Sequence, residues 1–519
     1  MNSYNRIWLG IISCLVVPAG FADSQLFISS LTEVQRGCVP DEDAEAFSNV
    51  YEQLNVDYNT GDFQASGRFE IYRASVDGRS MTFLSQRSAS WRKGSVFVVG
   101  GNFQGILGRG VTMRAFELPG VLLESTLFRQ RYTNTQDMEG GLASWSDDRI
   151  EIKALAGRPV AGGVPPGYPD TISVFDKLTG LGSDRRRDWV LGSEVGVRPV
   201  PALKVGVTAV NLRPDGQEDS YAWSWLAGLD LGPVFERAGT SLLYGELYAE
   251  LAKREQFSSE GHGRYFSGTL GIGPVGLSVE YKDYDNFDLP ANDPPQLVRE
   301  HTAYLLNRKT HLLQKLNETG FQVETVFPLS GFATFTGNIS RGKNRLSSKV
   351  YTIFDERFIG MDLHFPSEAH SISLFFDWGQ DEIEALATHR TGGFVLGTTT
   401  EQKHSFEWTL ELQRGKLSFG VDPWYWDTYS ALSWQSPIGF GAALVIDRST
   451  DPSEMDLAET SEVESDPARF ISLNLTGRFG PYEALLFAGE RRGGTACSSG
   501  TCYEVLAFRG LELRVLTRF

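Results

Sequence analysis

The sequence predicts an all-β fold: a single large transmembrane antiparallel β-barrel of about 18 to 24 strands, with room for a lumenal loop or plug. Three observations carry that expectation. Apolar and polar side chains alternate with period two from about residue 50 to the end, the periodicity of strands with one oily and one wet face. No stretch reaches the roughly 18 to 20 apolar residues of a spanning helix, whereas a barrel strand needs only about 9 to 11 residues, half of them polar. The chain stops on an aromatic, Phe519, with no polar tail.

Taken in order, the chain begins with Arg6, an apolar run from Ile7 to Val17, and Pro18-Ala19-Gly20-Phe21-Ala22. A short positive region, an apolar core too short to span a bilayer and a small-residue site read as a secretory signal, residues 1–22, cleaved after Ala22. Its removal leaves 497 of the 519 residues. Residues 23–48 show no clear period and carry Asp41, Glu42, Asp43 and Glu45; they read as a periplasmic extension or short plug ahead of a barrel over 49–519. Asn59-Thr60-Gly61-Asp62 is the first hairpin turn.

Beyond it the alternation recurs. Ile150 and Ile152 interleave with Glu151 and Lys153; Tyr221, Trp223 and Trp225 with Ala222 and Ser224. Leu247 and Leu251 alternate with Glu246, Tyr248 and Glu250, and Val279 and Tyr281 with Glu280 and Lys282. Leu410 and Leu412 flank Glu411, and Arg414-Gly415 reads as a short turn. With the oily face outward, Glu151, Lys153, Glu246, Glu250, Glu280, Lys282 and Glu411 are the expected pore-lining set, which would fix the local field. A two-sheet sandwich shares the period, but so long a run without linkers or repeats suits one closed sheet. Aromatics bunch near strand ends (Trp424, Tyr425, Trp426, Tyr429, Trp434) as membrane-interface girdles do. In the final strand Leu511, Leu513, Val515, Thr517 and Phe519 alternate with Glu512, Arg514 and Arg518. That ending resembles the terminal strand of outer-membrane barrels, so Leu511, Leu513, Val515 and Phe519 form the expected barrel-assembly signal.

The formal charge of −17 becomes −18 once Arg6 leaves, which argues against nucleic acid as a partner. Cys497 and Cys502 bracket a small loop and form the expected disulfide; Cys38 has no assignment. Asp451 to Asp466 holds seven acids without calcium-loop spacing and reads as a solvated loop in preference to a weak divalent site at the cell surface. Arg185-Arg186-Arg187 reads as a solvated turn, a lipopolysaccharide-phosphate contact or part of a constriction. Gly105-Ile106-Leu107-Gly108-Arg109-Gly110 lacks the Gly-Lys-Ser/Thr of a phosphate loop. Asn292 to Leu316 reads either as a helix or, over Thr302 to Leu306, as a strand; a helix there would fold into the lumen. The seven histidines show no metal-ligand spacing and no catalytic motif is present, so neither enzyme activity, nor a cofactor, nor a metal is expected.

Two stretches, GNFQGILGRGVTMRAFE (Gly101 to Glu117) and YKDYDNF…NDPPQLVREHTAYLLNR (Tyr281 to Arg308), are similar to segments of an uncharacterised porin-like outer-membrane β-barrel family of Bacteroidetes type. The resemblance implies a barrel and brings no substrate or site residue with it. The expected function is passive passage of small hydrophilic solutes through the cell outer membrane, with a mild cation preference from the surplus of acids. The alternative is a non-conducting barrel serving as scaffold for a secretion, motility or surface-polymer complex. Expected partners are outer-membrane lipid, lipopolysaccharide and the barrel-assembly machinery.

Overall fold

In the computed structural model the alternation becomes strand from the first described residue. The structure describes residues 24–519 except 39, 41–45, 75–79, 125–130, 137, 160–187, 215–217, 238–242, 257–258, 290–291, 293, 296, 298, 300, 309–316, 348–349, 366–368, 384, 419–423, 452–466, 499–500 and 506. The expected signal at 1–22, the Arg185–Arg187 turn and most of the acidic stretch lie outside them.

Twenty-four strands form one antiparallel sheet. In chain order they are β1 (Ser24–Cys38), β2 (Phe47–Thr60), β3 (Phe63–Ala74), β4 (Ser80–Lys93), β5 (Val96–Phe103), β6 (Met138–Ser146), β7 (Ile150–Pro159) and β8 (Trp189–Val200). They continue as β9 (Leu203–Arg213), β10 (Ser220–Asp230), β11 (Leu243–Gln256), β12 (Ser259–Ile272), β13 (Val275–Asp285), β14 (Glu318–Ser330), β15 (Ala333–Arg345) and β16 (Tyr351–His364). The ring ends with β17 (His370–Asp381), β18 (Leu386–Thr399), β19 (Ser405–Leu417), β20 (Trp424–Gln435), β21 (Phe440–Ser449), β22 (Ala468–Phe479), β23 (Tyr482–Arg491) and β24 (Phe508–Arg518). Each strand pairs with its chain neighbour, and β1 pairs with β24 from Ser29↔Arg518 to Cys38↔Arg509, closing the barrel. Among the described residues two short helices lie off the wall, α1 (Gly232–Arg237) and α2 (Tyr304–Arg308). Among the described residues no helix is long and apolar enough to cross a membrane.

The polarity of the wall is that of a soluble protein turned inside out. Trp225 is 67% exposed and Leu251 58%. Their inward-pointing neighbours Ser224 and Glu250 are buried, as are Glu33, Glu194, Asp377 and Glu512. Large outward apolar side chains recur around the ring, among them Val195, Ile339, Ile359, Leu412, Leu444, Ile471 and Leu513. A surface of that kind is stable against lipid rather than water.

Two expectations are corrected. The described part of 23–48 is not an extension or plug, because Phe47 already belongs to β2 and Ser24–Cys38 is the barrel-closing strand. Its lipid-facing row, Leu26, Ile28, Ser30, Thr32 and Val34, has two hydroxyl residues in the middle, which blurs the period. Arg414-Gly415 is not a turn; it lies inside β19. Gly415 stands directly opposite Tyr425, and a Cβ there would collide with the buried tyrosine ring, so the glycine serves ring packing rather than chain reversal.

Both ends of the described chain lie at the same end of the barrel, since β1 rises from the point where β24 arrives. Most connections at that end are two or three residues long, such as 61–62, 94–95, 147–149, 201–202 and 480–481. The opposite end carries the long ones, 104–137, 160–188, 286–317, 450–467 and 492–507. Short turns on one side and long loops on the other are the asymmetry of outer-membrane barrels.

Candidate functional site

A ring of 24 strands spaced about 4.8 Å and tilted about 40° is roughly 48 Å across on a circular section. Wall side chains cannot fill that width. The described parts of three of the long connections fold inward to do so: insert one (104–137), insert two (286–317) and insert three (492–507).

Insert one is held by its glycines. Gly108 and Gly110 adopt positive φ, 56° and 91°, conformations that cost a residue with a Cβ. At Gly108 a Cβ would also press on Glu250 and Tyr248. This close approach lets the Gly108 amide donate to Glu194 Oε2 (3.0 Å). The Arg109 amide donates to the Tyr248 hydroxyl (3.1 Å) and Glu250 Oε2 (3.3 Å). The Arg109 guanidinium reaches Glu246 Oε1 at 2.5 Å. A chain of hydroxyls continues beneath, Thr112 to Thr208 (2.9 Å), Thr208 to Ser224 (2.7 Å) and Ser224 to Glu250 Oε1 (2.6 Å). The apolar side of the insert, Leu107, Met113 and Ala115, packs on inward residues of β5 to β9 such as Phe103, Leu155 and Val190.

Insert two carries α2. Glu411 of β19 accepts the backbone amides of Tyr304 (2.9 Å) and Leu305 (2.8 Å), the first residues of the helical turn, where a carboxylate satisfies donors that have no intrahelical partner. Tyr304 stacks on Tyr429 with ring centroids 4.2 Å apart. Burial pushes the Tyr304 phenol up, so it stays protonated and donates to Asp447 Oδ2 (3.3 Å). Asn292 ties this insert to the first: its side-chain amide donates to Val111 O (2.8 Å) and its Oδ1 accepts from the Arg114 amide (2.8 Å).

Insert three begins at Arg492, which is buried between Asp427 (3.3 Å) and Asp447 (3.6 Å). Its hairpin, Gly494–Ser498 with Thr501–Val505, touches both α2 and the Met113–Glu124 strand of insert one. The three inserts therefore form one plug. The backbone register sets Cys497 opposite Cys502; their side chains lie outside the described ones.

The expected pore-lining residues separate into three situations. Glu151 and Lys153 belong to a partly open ladder in which Lys153 contacts Glu151 (3.0 Å) and Glu194 (3.2 Å), and Lys204 contacts Glu151 (2.8 Å) and Glu194 (3.0 Å). Glu246 stays half-exposed with Arg109, and Glu280 is partly buried beside Tyr265. Glu250, Lys282 and Glu411 are buried: Glu250 and Glu411 hold inserts, and Lys282 pairs with Glu318 at 2.6 Å. Of the alternatives for 292–316, the structure has the helical turn α2 within the described part. Period-two reading passed over Glu194, Lys204, Asp427, Asp447 and Arg492; the strand residues among them carried the same alternation signal, whereas Arg492, just past a strand end, carried none.

Among the described residues, hydrophilic cavities remain around the plug. One of 440 Å³ is bordered by Arg109, Arg198, Lys204, Asp230, Glu246 and Tyr248. One of 630 Å³ lies along the inner wall of β1 to β5 with Asp57, Gln64, Arg68, Gln86 and Asn102. One of 560 Å³ sits beside insert two and is bordered by Arg299, His301, Glu407, Glu411 and Tyr429.

No family model matches the sequence, and no curated protein matches it. Among solved structures the chain is similar to the P pilus usher (PapC) translocation pore, with 8% identity over 95% of this chain and 99% of that one and a TM-score of 0.46. It is also similar to Pseudomonas aeruginosa OpdL, 11% identical over 75% and 99% with a TM-score of 0.42, and to Acinetobacter baumannii OccAB2, 8% identical over 70% and 93% with a TM-score of 0.42. None of these likenesses transfers a residue or a ligand to this chain.

Proposed function

We propose that the chain is a porin-like channel of the cell outer membrane, a barrel whose plug leaves hydrophilic passages for small solutes moving down their gradients. The observation that carries this reading is the inverted polarity of a closed 24-stranded wall, with apolar residues outside and charged residues and hydrophilic cavities inside. The outward band meets lipid, and lipopolysaccharide is its neighbour on the side of the long loops. The terminal strand, with Leu511, Leu513, Val515 and Phe519, is what the barrel-assembly machinery reads. Glu151, Lys153 and Glu246 border the passage; Glu250 and Glu411 set its bore by fixing inserts, and Lys282 pairs with Glu318 within the wall. Most lumenal charges are paired, so the surplus of acids yields only a mild cation preference. A Cys497–Cys502 disulfide staples the tip of insert three.

The test is conductance of the purified protein in a planar bilayer, with a salt gradient to read selectivity. Small steps with a reversal potential favouring cations are expected, growing larger when insert one is shortened. Anion selectivity would remove the charge assignment. A silent bilayer for both proteins would replace the channel by the scaffold reading.

A further inference from the structure

The lumen holds a second polar cluster that passage of solutes does not use. His301 of insert two meets Glu356 of β16, Asp377 of β17 and His389 of β18, with side chains 2%, 8%, 0% and 4% exposed. His301 Nε2 lies 2.8 Å from Glu356 Oε1, and His389 Nε2 lies 2.8 Å from Asp377 Oδ1. One ligand-capable atom each of His301, Glu356 and Asp377 fall within 4.8 Å of one another. After those two contacts Asp377 Oδ2, His301 Nδ1 and His389 Nδ1 are buried with no partner. Buried lone pairs and neighbouring buried carboxylates are costly unless something positive satisfies them. Arg299 of the same insert acts on Glu356 only through its field; its direct contacts are an ion pair with Glu324 and the Phe358 ring, 4.0 Å away. The wall makes room for the cluster at Gly379, the direct cross-strand neighbour of both Glu356 and His389; a Cβ there would crowd the His389 ring at 2.9 Å.

We propose that this cluster binds one first-row divalent transition ion of the zinc class, with His301, Glu356 and Asp377 as ligands and His389 orienting the Asp377 carboxylate. An imidazole with two carboxylates suits zinc and its neighbours better than calcium or magnesium, which take oxygen ligands. Donors around a tetrahedral ion with bonds of about 2.0 to 2.1 Å stand about 3.3 Å apart. The ion would therefore displace the proton shared by His301 and Glu356 and separate them by about half an ångström. Ligating carboxylates are themselves hydrogen-bonded in such sites, and His389 supplies that support to Asp377 at 2.8 Å. The 560 Å³ cavity borders His301 and offers the route in. Because His301 comes from the insert and the other ligands from the wall, a bound ion pins the plug at this point. The site stands without the channel reading, whereas this consequence rests on it.

The experiment strips full-length, detergent-purified protein with chelator, loads it with Zn²⁺, desalts it and counts zinc by mass spectrometry. About one ion per chain is expected in the wild type, and below about a tenth in the near-isosteric Glu356→Gln/Asp377→Asn double variant. His389→Ala should keep the ion with about 10- to 100-fold weaker affinity. Heat-modifiable gel migration verifies the folded barrel; if the wall variant fails to fold, His301→Ala in the insert replaces it, with the same expected loss. Less than about a tenth of an ion in the wild type would overturn the proposal and leave the quartet bridged by protons. Equal zinc in wild type and variant would overturn it as adventitious binding. Conductance of the same samples separates the two readings: stoichiometric zinc in a silent barrel supports the site and removes the channel.

Discussion

Replacing Glu411 probes how firmly the plug is held. Its buried carboxylate accepts two backbone amides of α2, at 2.9 and 2.8 Å. Charge-assisted hydrogen bonds are worth about 1.5 to 3 kcal/mol each, and the two amides would be left buried without acceptors. The Tyr304–Tyr429 stack remains and retains about 1 kcal/mol. A net loss of about 3 kcal/mol for Glu411→Ala follows, or about a hundredfold in the ratio of docked to undocked insert at about 1.4 kcal/mol per decade. Glu411→Gln keeps one neutral acceptor and should lose about half as much, roughly tenfold. Hydrogen exchange read by mass spectrometry should show the Tyr304–Arg308 amides exchanging about two decades faster in the alanine variant and one in the glutamine variant. Bilayer recordings should show longer or wider openings in the same order. Unchanged exchange in both variants, or a larger effect from glutamine than from alanine, would refute the reasoning that this carboxylate anchors the insert.

Lys282→Ala strands Glu318 as an unpaired buried charge and should destabilise the barrel by about 3 to 5 kcal/mol, whereas Lys282→Met/Glu318→Leu should recover most of that; urea unfolding in detergent reads both. Leu513, outward on β24 and opposite Val34 and Leu486, should cost about 2 to 4 kcal/mol as Leu513→Arg if it lies at mid-bilayer; folding into liposomes measures it, and a neutral result would mean this face does not meet lipid. Asp147, in the turn 147–149, accepts the amides of Ile150 and Arg149 at 2.7 Å, which hold its carboxyl below the ordinary value. A group depressed on folding stabilises above its unfolded pKa, about 3.9, and loses that contribution as pH falls through the folded one. The turn should therefore be insensitive at neutral pH and loosen only in strong acid; a carboxyl titration by NMR with a midpoint at or above the free value would contradict this.

The strands were largely legible because each reports itself locally. Ile150 to Lys153, Tyr221 to Trp225 and Leu511 to Phe519 all show which side faces lipid without reference to any other part of the chain. Legibility failed where a local reading has two meanings. The weak outward row of β1 hid a barrel strand, and Gly415 looked like a turn because the ring of Tyr425, the reason for a glycine there, sits on another strand.

The lumen was illegible for a related reason. Its polar residues were visible as inward positions, but their roles depend on partners far along the chain. Glu250 accepts the amide of a loop residue 141 positions away, Glu411 those of a helix 106 away, and Arg514 pairs with Glu33 across 481 residues. His301 and Glu356 share no sequence spacing that suggests ligation, yet they meet at 2.8 Å. By itself the sequence determined an inside-out, all-β wall, since period two is a property of each strand's own backbone. Only closure of the ring decided which inward charges border water, which hold the plug and which converge on one another, because those contacts exist only after the strands have brought distant segments together.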